Sequence, residues 1–310
     1  MPSRIIGAFL IFVSVSSGVG LAQDEPAQVI VSNEDAGTVS ILAGRTLRLV
    51  ATVRVGARPH NLAVHRGGLL LVANWGSTAV SVIDLAARRE VQRIPLGVAP
   101  HDVAASSRSN EGYVLSEQGA LFVVDASQGR IIRRAALGGR PHDLILVGDS
   151  PWITDLRVPR VLVVSDRKAV ASPAVTLPAA GHDLALRPGG SEVWITPWRG
   201  AGVMIVDART RRLRRVLRVG SSPQHLAFAP NGRMVWITET VTGKAYLVDA
   251  ERLIILGTIE LGGPPHHVAV DARWVYVAVA PSHLVVIEAR TRRIIARVPV
   301  GDDPHDVVLR

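Results

Sequence analysis

No cysteine occurs in the 310 residues. That excludes disulfides, thiolate zinc sites, iron–sulfur clusters, covalently attached c-type haem and cysteine nucleophiles. Lysine is nearly missing as well. The chain has 35 Lys+Arg, of which only Lys168 and Lys244 are lysines, against 26 Asp+Glu, for a formal charge of +9. There is no phosphate-cradling Gly-x-x-x-x-Gly-Lys, no Gly-x-Ser-x-Gly elbow and no His-Glu-x-x-His pair. The apolar share of 48% and charged share of 20% exclude a disordered chain.

One apolar run stands out, at the start. Arg4 precedes Ile5 to Val15, and small residues follow to Gly20-Leu21-Ala22. This pattern predicts a secretory signal over 1–22, cleaved after Ala22. The run is short for a bilayer span of ~20 residues. The expectation is therefore a periplasmic or secreted protein with no membrane span after cleavage. Residues 23–310 would be one domain, large enough to hold its core without disulfides.

Most of that domain repeats one unit. The phrase Gly56-Ala-Arg-Pro-His60-Asn61 returns as Gly97-Val-Ala-Pro-His101-Asp102 and Gly138-Gly-Arg-Pro-His142-Asp143. It continues as Pro178-Ala-Ala-Gly-His182-Asp183, Gly220-Ser-Ser-Pro-Gln224-His225, Gly262-Gly-Pro-Pro-His266-His267 and Gly301-Asp-Asp-Pro-His305-Asp306. From His60 the spacings are 41, 41, 40, 42, 42 and 39. Three further strand-like runs complete each unit, as in Leu69–Asn74, Ala79–Asp84 and Glu90–Pro95. Four strands per ~40 residues is a β-propeller blade. The chain opens with three strands, Gln28–Ser32, Thr38–Leu42 and Arg48–Val55, and closes with one, Pro304–Leu309. Together they make one composite blade. The fold class is all-β: a seven-bladed propeller of four-stranded antiparallel blades, expected as a monomer.

The repeat resembles the YVTN-type (YncE-like) propeller family. The likeness rests on the Gly-x-x-Pro opening and on the hairpins Ala229-Pro230-Asn231-Gly232 and Arg187-Pro188-Gly189-Gly190. The signature tetrapeptide is replaced by Leu71-Val72-Ala73-Asn74, Val193-Trp194-Ile195-Thr196, Val235-Trp236-Ile237-Thr238 and Val275-Tyr276-Val277-Ala278. The Pro-His-Asp variant also resembles the histidine-bearing propellers of nitrous-oxide reductase and of haem-containing periplasmic nitrite reductase. That second resemblance implies copper or haem chemistry at propeller histidines.

Antiparallel strands sort the loops onto two faces. The start of each innermost strand and the loop between strands two and three share one face, the top. Nine of ten histidines fall there; His65, on a bottom hairpin, stands apart. His60, His101, His142, His182, His266 and His305 occupy one repeat position, with Gln224 in the fifth unit. The next position holds Asn61, Asp102, Asp143, Asp183, His225, His267 and Asp306. Imidazole is the commonest nitrogen ligand for copper, iron and zinc, and an adjacent Asp can orient it. The candidate metal ligands are His60, His101, His142, His182, His225, His266, His267 and His305. His225 and His267 are the foremost of these, because they break the Asp pattern. A ring of six is wide for one ion, and would suit a cluster, a haem-like planar group or a small anion. A second reading stays open: Pro-His-Asp as a turn sealed by hydrogen bonds to the neighbouring blade.

Other top-face candidates are Glu34, Asp35, Glu117, Asp155, Glu239 and His283, with Trp75 and Trp198 for a flat ligand or a cation. Arg88, Arg89, Arg133, Arg134, Arg209, Arg211, Arg212, Arg214, Arg215, Arg290, Arg292 and Arg293 gather at the bottom rim. No aromatics interleave with them, so a nucleic acid is not the expected partner. Three functions follow. The first is a binding or accessory protein taking a small ligand or a metal at the histidine ring. The second is a copper- or iron-dependent oxidoreductase using that ring. The third is an envelope scaffold holding a protein or polyanion on its basic underside.

Overall fold

The computed structural model describes residues 26–165 and 170–310; the expected leader over 1–22 lies outside the described residues. The chain is a seven-bladed β-propeller of four-stranded antiparallel sheets. Blade one runs Pro59–His65, Leu69–Asn74, Ala79–Asp84 and Arg89–Pro95 from the axis outward. The innermost strands of blades two to six are Asp102–Ala105, Pro141–Val147, Gly181–Leu186, His225–Phe228 and Pro265–Val270. Blade seven is the composite: Pro304–Leu309 pairs with Gln28–Asn33, followed by Thr38–Ala43 and Leu49–Arg54. No helix among the described residues is long and apolar enough to cross a membrane.

Burial explains the strand sequences. Second and third strands lie between two neighbouring blades, so both faces are covered and the runs are almost wholly apolar, as in Leu69–Asn74. Outermost strands alternate: Arg293–Pro299 shows one residue in two to solvent. The core is divided among the blade interfaces. Leu71 and Val82 of blade one meet Val114 and Phe122 of blade two. Ile30 and Ile41 of blade seven meet Leu70 and Ile83 of blade one, which closes the circle. Trp152, Trp194 and Trp236 fill such interfaces, and the half-buried Trp274 packs against the one between blades six and seven.

Polar bonds tie the second and innermost strands of a blade to the innermost strand of the next. Ser32, Thr154, Thr196 and Thr238 each donate a hydroxyl to a carbonyl in the next blade: His60 O at 2.6 Å, His182 O at 2.6 Å, Gln224 O at 2.5 Å and His266 O at 2.7 Å. The donor precedes its acceptor by 28 residues every time. Three Asp residues do the converse. Asp102, Asp183 and Asp306 accept from Leu144 N, Leu226 N and Leu62 N of the next blade at 2.6–2.8 Å.

Thr196 is fully buried and its Oγ1 also accepts from the buried Asp183 amide at 3.0 Å, so losing the hydroxyl strands that amide. Thr196→Val is expected to cost about 1–3 kcal/mol, and Thr196→Ser to restore most of it. Equilibrium urea unfolding reads the difference; an unchanged midpoint in the valine variant would contradict the stitching role.

Candidate functional site

The pairing of innermost and second strands shifts register at the repeated dipeptide, between Pro59 and Leu62, Pro141 and Leu144, Gly181 and Leu184, and Pro265 and Val268. Such a bulge re-aims side chains and brings two consecutive residues per blade to the mouth. The glycine of the preceding loop has a steric reason. A Cβ at Gly56 would lie 2.5 Å from Asn74, and one at Gly301 would lie 2.7 Å from Asn33. Those asparagines accept from the Gly56 and Gly301 amides. Close approach of loop to strand end is what requires glycine.

The imidazoles form a closed circuit. Ring centroids lie 4.3 Å apart for His60–His101, 4.3 Å for His101–His142, 4.5 Å for His142–His182 and 5.0 Å for His182–His225. The circuit runs on through His225–His267 at 3.7 Å, His267–His305 at 5.3 Å and His305–His60 at 3.6 Å, with His266 4.7 Å from His305. All eight expected ligands meet there. The ring is thus not too wide for a single ion, because adjacent imidazoles touch and can share one. For the same reason it does not enclose a planar group. In blade five His225, not Gln224, joins the ring. Gln224 turns aside, its carbonyl accepting from His182 Nδ1 and its side chain from Thr240 N. His283 makes no ring contact, and His65 lies elsewhere with Nδ1 on Arg66 O.

One residue of offset separates the top-face acids. Asp155 and Glu239 end their second strands, like Asn33 and Asn74, and hold the loop leading into their own blade. Asp155 Oδ1 accepts from Arg140 N, and Glu239 Oε1 from Ser221 N and Ser222 N. Thr242 and Tyr246 occupy the other Glu239 oxygen. Burial works against the Glu239 charge, yet these hydrogen bonds hold its carboxyl down at about 2. The structure therefore assigns these two acids to loop anchoring. Glu34, Trp75, Glu117 and Trp198 come one position later and do face the ring. Glu117 Oε1 accepts from His142 Nδ1 at 2.6 Å, with Arg140 on Oε2. Glu34 Oε2 is 3.5 Å from His305 Nδ1, and its other oxygen pairs with Arg58. Trp198 stacks on His182 at 5.5 Å and 10°, and Trp75 lies 5.7 Å from His60 beneath the Arg58 guanidinium.

Hydrogen bonds set the tautomers. His60 Nδ1 meets Asn61 Oδ1, His101 Nδ1 meets His142 O, His142 Nδ1 meets Glu117 and His182 Nδ1 meets Gln224 O, at 2.6–3.1 Å. Each of these partners accepts, so in the neutral ring Nδ1 carries the proton and Nε2 keeps its lone pair. Four consecutive blades repeat this state. Burial holds all eight imidazoles below their usual range, His182 at about 4. Burial also pushes the carboxyls of Asp102, Asp143, Asp183 and Asp306 up, the last two to about 7. The mouth is therefore rich in lone pairs and poor in positive charge, which disfavours an anion as its occupant. Ring nitrogens and carboxylate oxygens gather within 4.8 Å of one another in four sets: Glu34/His60/His305, His101/His142/Asp143, Asp143/His182/His225 and Asp183/His225/His267.

Among solved structures the chain is similar to Kuenenia stuttgartiensis hydrazine synthase, with a TM-score of 0.72 and 16% identity over 93% of this chain and 99% of that one. It is also similar to the dihydro-heme d1 dehydrogenase NirN in complex with DHE, with a TM-score of 0.71 and 13% identity over 91% of this chain and 75% of that one. At such identities the likeness is one of fold. No family model and no curated protein matches the sequence.

The underside differs from the ring. A cleft of about 550 Å³ between blades four and five is lined by Arg187, Glu192, Arg214 and Glu251. Two of its arginines are paired within the protein: Arg187 and Arg214 each lie 3.1 Å from Glu192. Arg133 likewise pairs with Glu111. Part of the basic rim is thereby neutralised.

The ring makes stability pH-dependent. A base whose folded pKa lies below its unfolded value binds fewer protons folded than unfolded between the two, so acid destabilises the fold. For His182 that window runs from about 6.5 down to about 4. Asp183 and Asp306 act oppositely, costing stability as pH rises toward about 7. Eight imidazoles outnumber the five raised carboxyls, Glu34 included, so the melting temperature is expected to fall between pH 6.5 and about 4, with a shallower fall in a His225→Gln/His267→Gln variant. Calorimetry across that range checks it; a flat or rising profile on acidification would contradict it.

Proposed function

We propose that the protein is a metal-binding propeller whose top-face ring holds a divalent transition ion, free or carried by a small ligand. The observation that supports this most is the tautomeric lock at His60, His101, His142 and His182. A ligating imidazole characteristically donates its other N–H to a carbonyl or carboxylate, and here four adjacent rings do so. Neutral, buried imidazoles with a few carboxylates suit copper, zinc or iron, and the usual affinity order puts copper first. A role as an exported, YVTN-type binding protein agrees with the apolar leader and with the repeat. The alternative of a copper or iron oxidoreductase uses the same ligands. The two structural neighbours, both enzymes by name, keep that alternative in view.

Metal-free full-length protein titrated with Cu(II) is expected to bind at least one equivalent. A His225→Ala/His267→Ala variant should weaken binding by at least about tenfold. Absence of calorimetric binding of Cu(II), Zn(II) or Fe(II) to the wild type would overturn the proposal. A copper-loaded protein without redox turnover would favour the binding role over the enzyme.

A further inference from the structure

We infer that Asp143 bridges two metal ions, one held by His101 and His142 and the other by His182 and His225. The inference rests on the metal-binding reading and sharpens it from a ring of ligands to a dinuclear centre. It starts from an anomaly among the repeated Asp residues. Asp102, Asp183 and Asp306 each use one oxygen on the amide of the following residue, at 2.6–2.7 Å, and the other on the next blade. Asp143 has neither bond. The amide of its own following residue, Leu144, is taken by Asp102. The corresponding amide of the next blade, Leu184, is taken by Asp183. Both Asp143 oxygens are left buried and without a partner, although the side chain is only 3% exposed.

A buried carboxyl with no hydrogen-bond partner on either oxygen is costly, charged or protonated, and calls for a ligand. Its position supplies one on each side. Asp143 comes within 4.8 Å of donor atoms of His101 and His142, and equally of His182 and His225. Hydrogen bonds hold Nδ1 of His101, His142 and His182, so Nε2 is the free donor on each. A carboxylate with two vacant oxygens between two imidazole pairs has the composition of a bridged pair, whose ions usually lie ~3.5–4 Å apart. Each ion would have two nitrogens and one oxygen from the protein, leaving positions for water or an added ligand, as at open two-histidine, one-carboxylate sites.

Electron paramagnetic resonance of the metal-free full-length protein loaded with Cu(II) tests this. With two equivalents the wild type is expected to show a half-field transition from coupled copper ions. Asp143→Asn should abolish that transition while copper still binds, with the second equivalent weakened at least about tenfold. His101→Ala/His142→Ala should also lose the coupling, keep one magnetically isolated ion, and decide the matter if the Asn variant does not fold. Copper binding with no half-field transition in the wild type, or a transition that survives Asp143→Asn, would overturn the bridge and leave the metal-binding reading standing. No copper binding at all would remove both.

Discussion

The hydrogen bonds that tie innermost strands to the neighbouring blade, at five of the seven junctions, are the constraint from which the site follows. They run from a hydroxyl to a carbonyl and from an amide to a carboxylate, between residues beside the axis. A carbonyl pinned in this way is a fixed acceptor. Gln224 O, held by Thr196, then fixes the ring of His182 by taking its Nδ1 proton, and His142 O takes that of His101. The architecture thus sets backbone positions first and imidazole tautomers second. The two readings open for Pro-His-Asp therefore divide by position. The Asp of Asp102, Asp183 and Asp306 seals blades together, and the His turns its free nitrogen to the mouth.

Asp143 and His225 are departures from that division. The repeat supplies each blade with the same turn but need not give each Asp a donor. Where two neighbouring carboxyls claim both amides, the third is left open. Where Gln224 turns away, the next residue, His225, fills the vacant sector. Both departures fall on one arc of the ring, between blades three and five.

Much of this was legible in the sequence. A 39-to-42-residue period, complementary chain ends and alternating apolar runs specify the seven blades, because each feature is local or periodic. The clustering of histidines on one face was legible through strand parity alone. Three things were not. Asp155 and Glu239 looked like Glu117, since a shift of one position at a strand end decides whether an acid holds a loop or meets the ring. Gln224 looked like a ring member because it shares the repeat position of the histidines, but its bonds to Thr238 and Thr240 hold it aside. The orphaned state of Asp143 depends on what residues some 40 positions away bond to. The stitching does have a signal in the sequence: in four units a Ser or Thr stands 28 residues before the residue whose carbonyl it holds.

The account's central claim is that the fold itself sets four imidazoles as neutral donors with Nε2 free. Nitrogen-15 NMR of histidine-labelled, metal-free protein at neutral pH tests it most directly. The account predicts neutral Nδ1–H tautomers at His60, His101, His142 and His182, assigned by single substitutions. Nε2–H tautomers or protonated rings at these positions would contradict it.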